Sequence, residues 1–263
     1  MSNEALARAY TTIAGDYDHM VEGDAWMRRI LWDRYRCLFQ PGQHVLDVAC
    51  GTGLDTIFLA RHGLRVTGID IAPGMIAQLK AKIAREGLTD RVTAHTLALG
   101  DLTALPQESF DGILSAFAGL NTLPDLEAFA AEAARLLRPR GRLIVHMINR
   151  FSLWEWLMLV RRGRFQAAMR LPRYAERTFT IGGQPVVHYL SFARPTYRQS
   201  FAAHFTLDRC YGLGSLRPPH DLTWIPDRLV QRLAALEQRV HAYRPFAACG
   251  RFFILEMTRR PDV

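Results

Sequence analysis

A chain of 263 residues with 49% hydrophobic and 22% charged residues has the composition of a folded globular protein. It is long enough for one large domain, or a domain with an insertion, which excludes a disordered tail or a disulfide-stapled miniprotein. Cys37, Cys50, Cys210 and Cys249 show no metal-ligand spacing, the first fourteen residues are polar and amphipathic, and no apolar run approaches ~20 residues, so the expectation is a cytoplasmic protein with no metal and no membrane span.

The chain begins with Tyr10-Thr11-Thr12-Ile13-Ala14-Gly15-Asp16-Tyr17-Asp18 in an amphipathic stretch. The run Val45-Leu46-Asp47-Val48 reads as a short buried strand, and Ala49-Cys50-Gly51-Thr52-Gly53 as a small-residue turn that lets a ligand approach the backbone. Leu54 to His62 form a helix closed by Gly63. A second strand, Arg65–Asp70, ends in an acid, and Ile71-Ala72-Pro73-Gly74-Met75 open a helix through Lys82. The apolar run from Val92 to Leu99 leads to Gly100-Asp101-Leu102. The fourth strand is Phe110 to Phe117, including Ser115 near its end. Asn121 to Leu126 then turn into a helix whose Leu126, Phe129, Ala130, Ala133, Leu136 and Leu137 make an apolar stripe. Arg138-Pro139-Arg140-Gly141-Arg142 form the turn into a fifth strand, Leu143-Ile144-Val145-His146-Met147.

Strand, glycine turn and helix describe the nucleotide-binding corner of an α/β sheet. A dinucleotide fingerprint would place a third glycine where Thr56 stands. Asp47, four residues before Gly51, puts a carboxylate where a pyrophosphate would be repelled and a cation welcomed. Asp70 follows 23 residues after Asp47, near the ~20-residue spacing of a ribose-binding acid, and its charge disfavours a 2′-phosphate. This Asp-x-x-Cys-Gly-Thr-Gly pattern, with Asp70…Met75, Gly100-Asp101-Leu102 and Leu136-Leu137-Arg138-Pro139-x-Gly141, resembles the ordered motifs of class I S-adenosylmethionine (SAM) methyltransferases over residues 1 to about 150. Arg140-Gly141 stands where that family usually has Gly-Gly. The group it looks most like includes the quinone-biosynthesis C-methyltransferases, whose N-terminal Tyr-x-x-x-Ala-x-x-Tyr-Asp segment packs as a lid.

The resemblance implies a Rossmann-like α/β fold: a seven-stranded sheet, mostly parallel with an antiparallel last strand, plus an inserted cap. It divides the chain into lid helices (1–40), SAM-binding core (41–150), cap (151–195) and the remainder of the core sheet (196–263). It also implies SAM as cofactor and S-adenosylhomocysteine as product. Cofactor contacts are expected from Tyr10, Tyr17, Asp47, Ala49, Cys50, Gly51, Gly53, Asp70, Ile71, Met75, Gly100, Asp101, Leu102, Ser115 and Phe117. Met75 would lie beside the adenine, Asp101 would accept its amino group and Leu102 would cover the ring, while Tyr10 and Tyr17 could face the sulfonium.

Residues 151–160 are apolar nearly all round and are followed by Arg161-Arg162-Gly163-Arg164. The helix is read first as a cap over an apolar substrate pocket. Packing against a second subunit in a homodimer, or peripheral membrane contact through residues 151–164, are its alternatives. Seven arginines against two glutamates between Arg150 and Gly183 make this region basic. Thr178–Ile181 and Pro185–Phe192 around Gly182-Gly183 read as a hairpin, and Thr196-Tyr197-Arg198-Gln199 as a capping box. Phe205–Tyr211, a helix carrying Leu229, Leu233, Leu236 and Val240, and Arg251–Met257 complete the sheet.

Two residues are candidates for catalysis. His146, at the end of the fifth strand, could take a proton from an oxygen or nitrogen acceptor, and Asn121 could bind substrate or cap the following helix. The function expected is methyl transfer to a small, apolar or lipid-like acceptor. The alternatives are an RNA or protein methyltransferase and a SAM-binding regulator without turnover. No appended RNA-binding module or Asn/Asp-Pro-Pro-Tyr signature is present, which disfavours nucleic acid.

Overall fold

The computed structural model describes residues 2–243 and 245–261. Helices α1 (Asn3–Ile13), α2 (Tyr17–Met20) and α3 (Ala25–Leu38) precede β1 (His44–Val48), α4 (Leu54–Arg61), β2 (Arg65–Asp70), α5 (Pro73–Glu86), β3 (Val92–Thr96), β4 (Phe110–Ser115), α6 (Glu127–Leu136) and β5 (Leu137–Ile148). After these come α7 (Leu153–Arg161), α8 (Phe165–Arg170), β6 (Glu176–Ile181), β7 (Gln184–Tyr189), α9 (Ala193–Thr196), β8 (Phe205–Leu213), α10 (Asp227–Val240), α11 (Phe246–Cys249) and β9 (Phe252–Arg259).

Seven strands form one sheet in the order β3-β2-β1-β4-β5-β9-β8. β1 to β5 run parallel, and β9 is antiparallel to both β5 and β8. Parallel strands need both faces covered, so β1 reads as a nearly continuous apolar run, with Val45, Leu46 and Val48 fully buried. Alternation along the strand then assigns the faces. Val45 packs with Leu31, Tyr35, Ile57, Phe58 and Leu79 of α3, α4 and α5. Leu46 and Val48 pack with Phe129, Ala130 and Ala133 of α6. Asp47 falls on the first of these faces, where a charge has no packing reason to be (1% exposed).

Four local readings change. α5 continues past Lys82 to Glu86 and stops at Gly87, whose φ of 65° is a left-handed cap. The turn expected at Arg138–Arg142 is a bulge inside β5, where the register against β4 shifts and Arg140 takes φ of 64°. Thr196 is not an N-cap: it ends α9, and its hydroxyl donates to Phe192 O (2.9 Å) while one wider π turn, Tyr197–Phe201, carries the chain onward.

The last change concerns the insertion, which does not cover the cofactor cleft. Its hairpin, β6–β7, packs against α1 and, through β7, against residues 119–122; Gly182 comes so close to Ala9 O that a Cβ there would overlap it. Gly74 N–H of α5 donates to Thr11 Oγ1 of α1 (3.3 Å). The hairpin therefore buttresses the N-terminal helix that overlies the cleft. Among the described residues no helix is long and apolar enough to cross a membrane.

Candidate cofactor and substrate cleft

The cleft opens at the carboxyl ends of β1, β2 and β4, where open parallel sheets bind ligands. Its empty space, counted together with the open solvent at its mouth, is about 990 Å³. Of the expected contacts, Tyr10, Tyr17, Asp47, Ala49, Cys50, Gly51, Asp70, Ile71, Met75, Gly100 and Phe117 line it.

At the β2 end, Asp70 Oδ2 accepts Gly51 N–H (2.9 Å) and Oδ1 accepts Ala72 N–H (2.8 Å). These bonds fix the carboxylate and leave each oxygen a lone pair toward the cleft. Burial raises the Asp70 pKa, with the two backbone N–H groups opposing the rise. Ile71, Met75, Leu97, Ala98 and Leu99 form an apolar slot beside it.

At the β1 end, Asp47 accepts Thr56 Oγ1–H (2.6 Å). Burial pushes its pKa well up, the nearby Asp55 pushes it further, and the Thr56 bond opposes them. Asp55 pairs with Arg28 and accepts Trp32 Nε1–H (2.8 Å). Arg28 reaches the cleft from α3, with its guanidinium 4.1 Å from the centre of the Phe117 ring. The acidic and basic side chains lining the cleft are Arg28, Asp47, Asp55 and Asp70, three carboxyl groups against one guanidinium in a chain of net charge +8.

α2 closes this end. Asp18 accepts Thr52 Oγ1–H (2.5 Å) and pairs with Lys82 Nζ (2.5 Å), which ties the lid to the glycine turn and to α5. Tyr17, its neighbour, lies over Gly51, and burial raises the pKa of both Tyr17 and Tyr10. Both stay neutral phenols with a polarisable face.

Six expected residues stand elsewhere. Gly53 has φ of 80°, and a Cβ there would overlap Leu79 Cδ1, so its lack of a side chain serves helix packing. Gly53→Ala is expected to cost about 2 kcal/mol or more, from left-handed strain and the overlap, read as a lowered midpoint in urea. Leu102 points into the core against α6 and leaves the apolar wall to Leu99. Asp101 is exposed and outside the lining. Ser115 is buried behind the wall, its hydroxyl without a partner, beside Gly119.

Asn121 is a strut: its amide donates to Tyr189 O (2.6 Å) and accepts Ile148 N–H (2.9 Å), joining the hairpin to β5. With both groups engaged and no exposure, it neither binds substrate nor caps α6.

His146 has one ring nitrogen engaged and the other buried without a hydrogen-bond partner. Its Nδ1 accepts Phe117 N–H (3.1 Å), so the proton sits on Nε2, and its ring is 1% exposed between Phe117 and Phe252. Burial first, then Arg28 and Arg251, push its pKa down to about 3. Its work is structural. Phe117 and Ala118 take φ of 51° and 71°, costly for residues with a Cβ, and His146 holds that turn through Nδ1 and its own carbonyl, which accepts Ala118 N–H (3.1 Å). Held so, the Phe117 ring covers Arg28.

A histidine neutral when folded but titrating near 6.5 when unfolded supplies stability above pH 6.5 that is lost as pH falls toward 3. His146→Leu should flatten that part of the acid limb of the melting-temperature curve.

Arg28, Thr52, Asp55 and Thr122 were not among the expected contacts, yet they line the cleft. Asp55 could have been suspected as an acid in an otherwise apolar helix turn, but Arg28 lies on α3 among several arginines with no local mark.

A seven-stranded sheet in this order, with an antiparallel strand between the fifth and the edge and a glycine turn after the first, is the class I methyltransferase fold. Residues 45–141 match the family described as methyltransferase domain. The chain is 35% identical over 144 residues to a demethylmenaquinone methyltransferase of Tropheryma whipplei, covering 53% of this chain and 57% of that one. It is 40% identical over 109 residues to a ubiquinone biosynthesis O-methyltransferase of Xylella fastidiosa, covering 41% and 43%. The chain thus spans about half the length of the curated relatives it matches. A methyltransferase structure from Listeria monocytogenes, described as SAM-dependent, superposes with a TM-score of 0.60 at 19% identity, covering 88% of this chain and 96% of that one.

Proposed function

We propose that this protein transfers a methyl group from SAM to a small, apolar or lipid-like acceptor. The observation that carries the reading is the charge of the cleft. Asp47, Asp55 and Asp70 outnumber Arg28; burial raises the pKa of Asp47 and Asp70, and a cationic amino-acid end would hold Asp47 ionised, so the site suits a cofactor with an ammonium and a ribose better than a dinucleotide pyrophosphate.

In this reading Asp70 accepts the two ribose hydroxyls, with Ile71, Met75 and Leu99 around the adenine. Asp47 receives the ammonium, and Arg28, anchored by Asp55, receives the carboxylate. SAM would supply an activated methyl group on a sulfonium. The chain's part is to hold donor and acceptor in line and exclude water. Phe117, Tyr10 and Tyr17 give the site neutral, electron-rich walls that tolerate a cation. Leu6 and Leu123, with Thr122, form the remaining apolar lip, which is where the acceptor enters.

His146 accepts Phe117 N–H at Nδ1 and is buried, and among the described residues no histidine lines the cleft. The acceptor expected is therefore one whose reacting atom is already electron-rich, such as an activated ring carbon or an acidic hydroxyl. Relatives named for menaquinone and ubiquinone biosynthesis agree with an acceptor of this size and polarity.

The test is transfer of radiolabelled methyl from SAM into a fractionated extract of the source cells. Label in the organic phase supports the reading, and label confined to nucleic acid or protein overturns it.

A further inference from the structure

We propose that residues 161–174 form a surface that docks on an anionic phospholipid bilayer. The inference does not depend on the acceptor reading.

These fourteen residues hold Arg161, Arg162, Arg164, Arg170 and Arg173 and not one acid. All five arginines are exposed, and none has a carboxylate within ion-pair distance among the described residues. Arg177, just beyond, does find such a partner in Glu155 (3.0 Å).

The same stretch exposes large apolar side chains: Phe165 by 61%, Met169 by 77% and Tyr174 by 46%. Phe165 and Met169 are four apart on α8 and share a face. Arg164, Phe165, Arg170 and Tyr174 line one shallow groove, so basic and apolar groups are interleaved on one surface. Trp154 and Trp156, which lie in the 151–164 stretch, are half-buried, and Trp154 Nε1–H donates to Leu216 O (3.2 Å). The proposed surface thus overlaps the 151–164 stretch at residues 161–164 and continues through α8.

Exposed arginines around protruding aromatic and methionine side chains match the headgroup level of a bilayer, where phosphates meet the cations and acyl chains the apolar tips. A two-fold contact with a second copy would bring together ten arginines that have no carboxylate partner, Arg161 lying over the Trp224 ring (4.6 Å), and a phosphate backbone alone would leave Phe165 and Met169 without a partner. In the chain the surface precedes β6–β7, which packs against α1 above the cleft.

The experiment is co-sedimentation of the whole protein with vesicles of pure phosphatidylcholine, or with a third phosphatidylglycerol. Wild type is compared with Arg164→Glu/Arg170→Glu and with Phe165→Ser/Met169→Ser, SAM affinity serving as the folding control. Binding to the anionic vesicles only is expected, weakened about tenfold or more by the charge pair and clearly by the apolar pair. The proposal is overturned if vesicles are not bound, or if the apolar pair binds like wild type, as a purely electrostatic RNA-type surface would. It is also overturned if the variants instead abolish self-association measured by sedimentation.

Discussion

Arg28→Met is expected to lower fold stability by about 3–5 kcal/mol and SAM affinity by at least tenfold. The stability loss follows from burial. Arg28 and Asp55 side chains are 9% and 5% exposed, so removing the guanidinium leaves Asp55 buried with Trp32 Nε1–H as its remaining partner. It also uncovers the face of Phe117. The two effects separate in a second variant. Arg28→Met with Asp55→Leu removes both charges and should recover most of the stability, because the orphaned acid is gone. It should not recover affinity, because the receptor for the cofactor carboxylate is still missing. Denaturant unfolding and calorimetry on both variants check this. Wild-type SAM affinity in Arg28→Met would mean that Arg28 serves the fold alone.

Asp70→Asn should weaken SAM binding roughly a hundredfold or more while the melting temperature moves by only a few degrees. Two charge-assisted hydrogen bonds to ribose hydroxyls, each worth roughly 1.5–3 kcal/mol, depend on that carboxylate. The amide keeps one oxygen for a backbone donor, so Gly51 and Ala72 lose only part of their anchor. Affinity within threefold of wild type would remove Asp70 from the ribose site. A collapse of the melting temperature would reassign it to the turn.

The parts of the site that could be read in the sequence are those built on local geometry. Asp47 and Asp70 end short apolar strands, and Gly51 follows within four residues of the first. A carboxylate at the end of a buried parallel strand has few explanations other than a ligand, so chain order alone placed both in the cleft. The parts that could not be read depend on partners distant in sequence. Arg28 and Asp55 are 27 residues apart, and Asn121 meets Tyr189 across 68. His146 looked like a base from its position on the sheet. That position is right, yet the strained Phe117–Ala118 turn takes its lone pair, and nothing in the strand sequence announces such a turn. The insertion was legible as helix and hairpin, but its packing was not, because it depends on contacts distant in sequence: Gly182 against Ala9, and Tyr189 against Asn121.

The most direct test of the acidic-cleft account is calorimetric titration of the purified protein with SAM, S-adenosylhomocysteine and NAD under identical conditions. The account predicts that both sulfur nucleosides bind, that Asp70→Asn weakens both, and that NAD gives no heat of binding. NAD binding in place of SAM would contradict it.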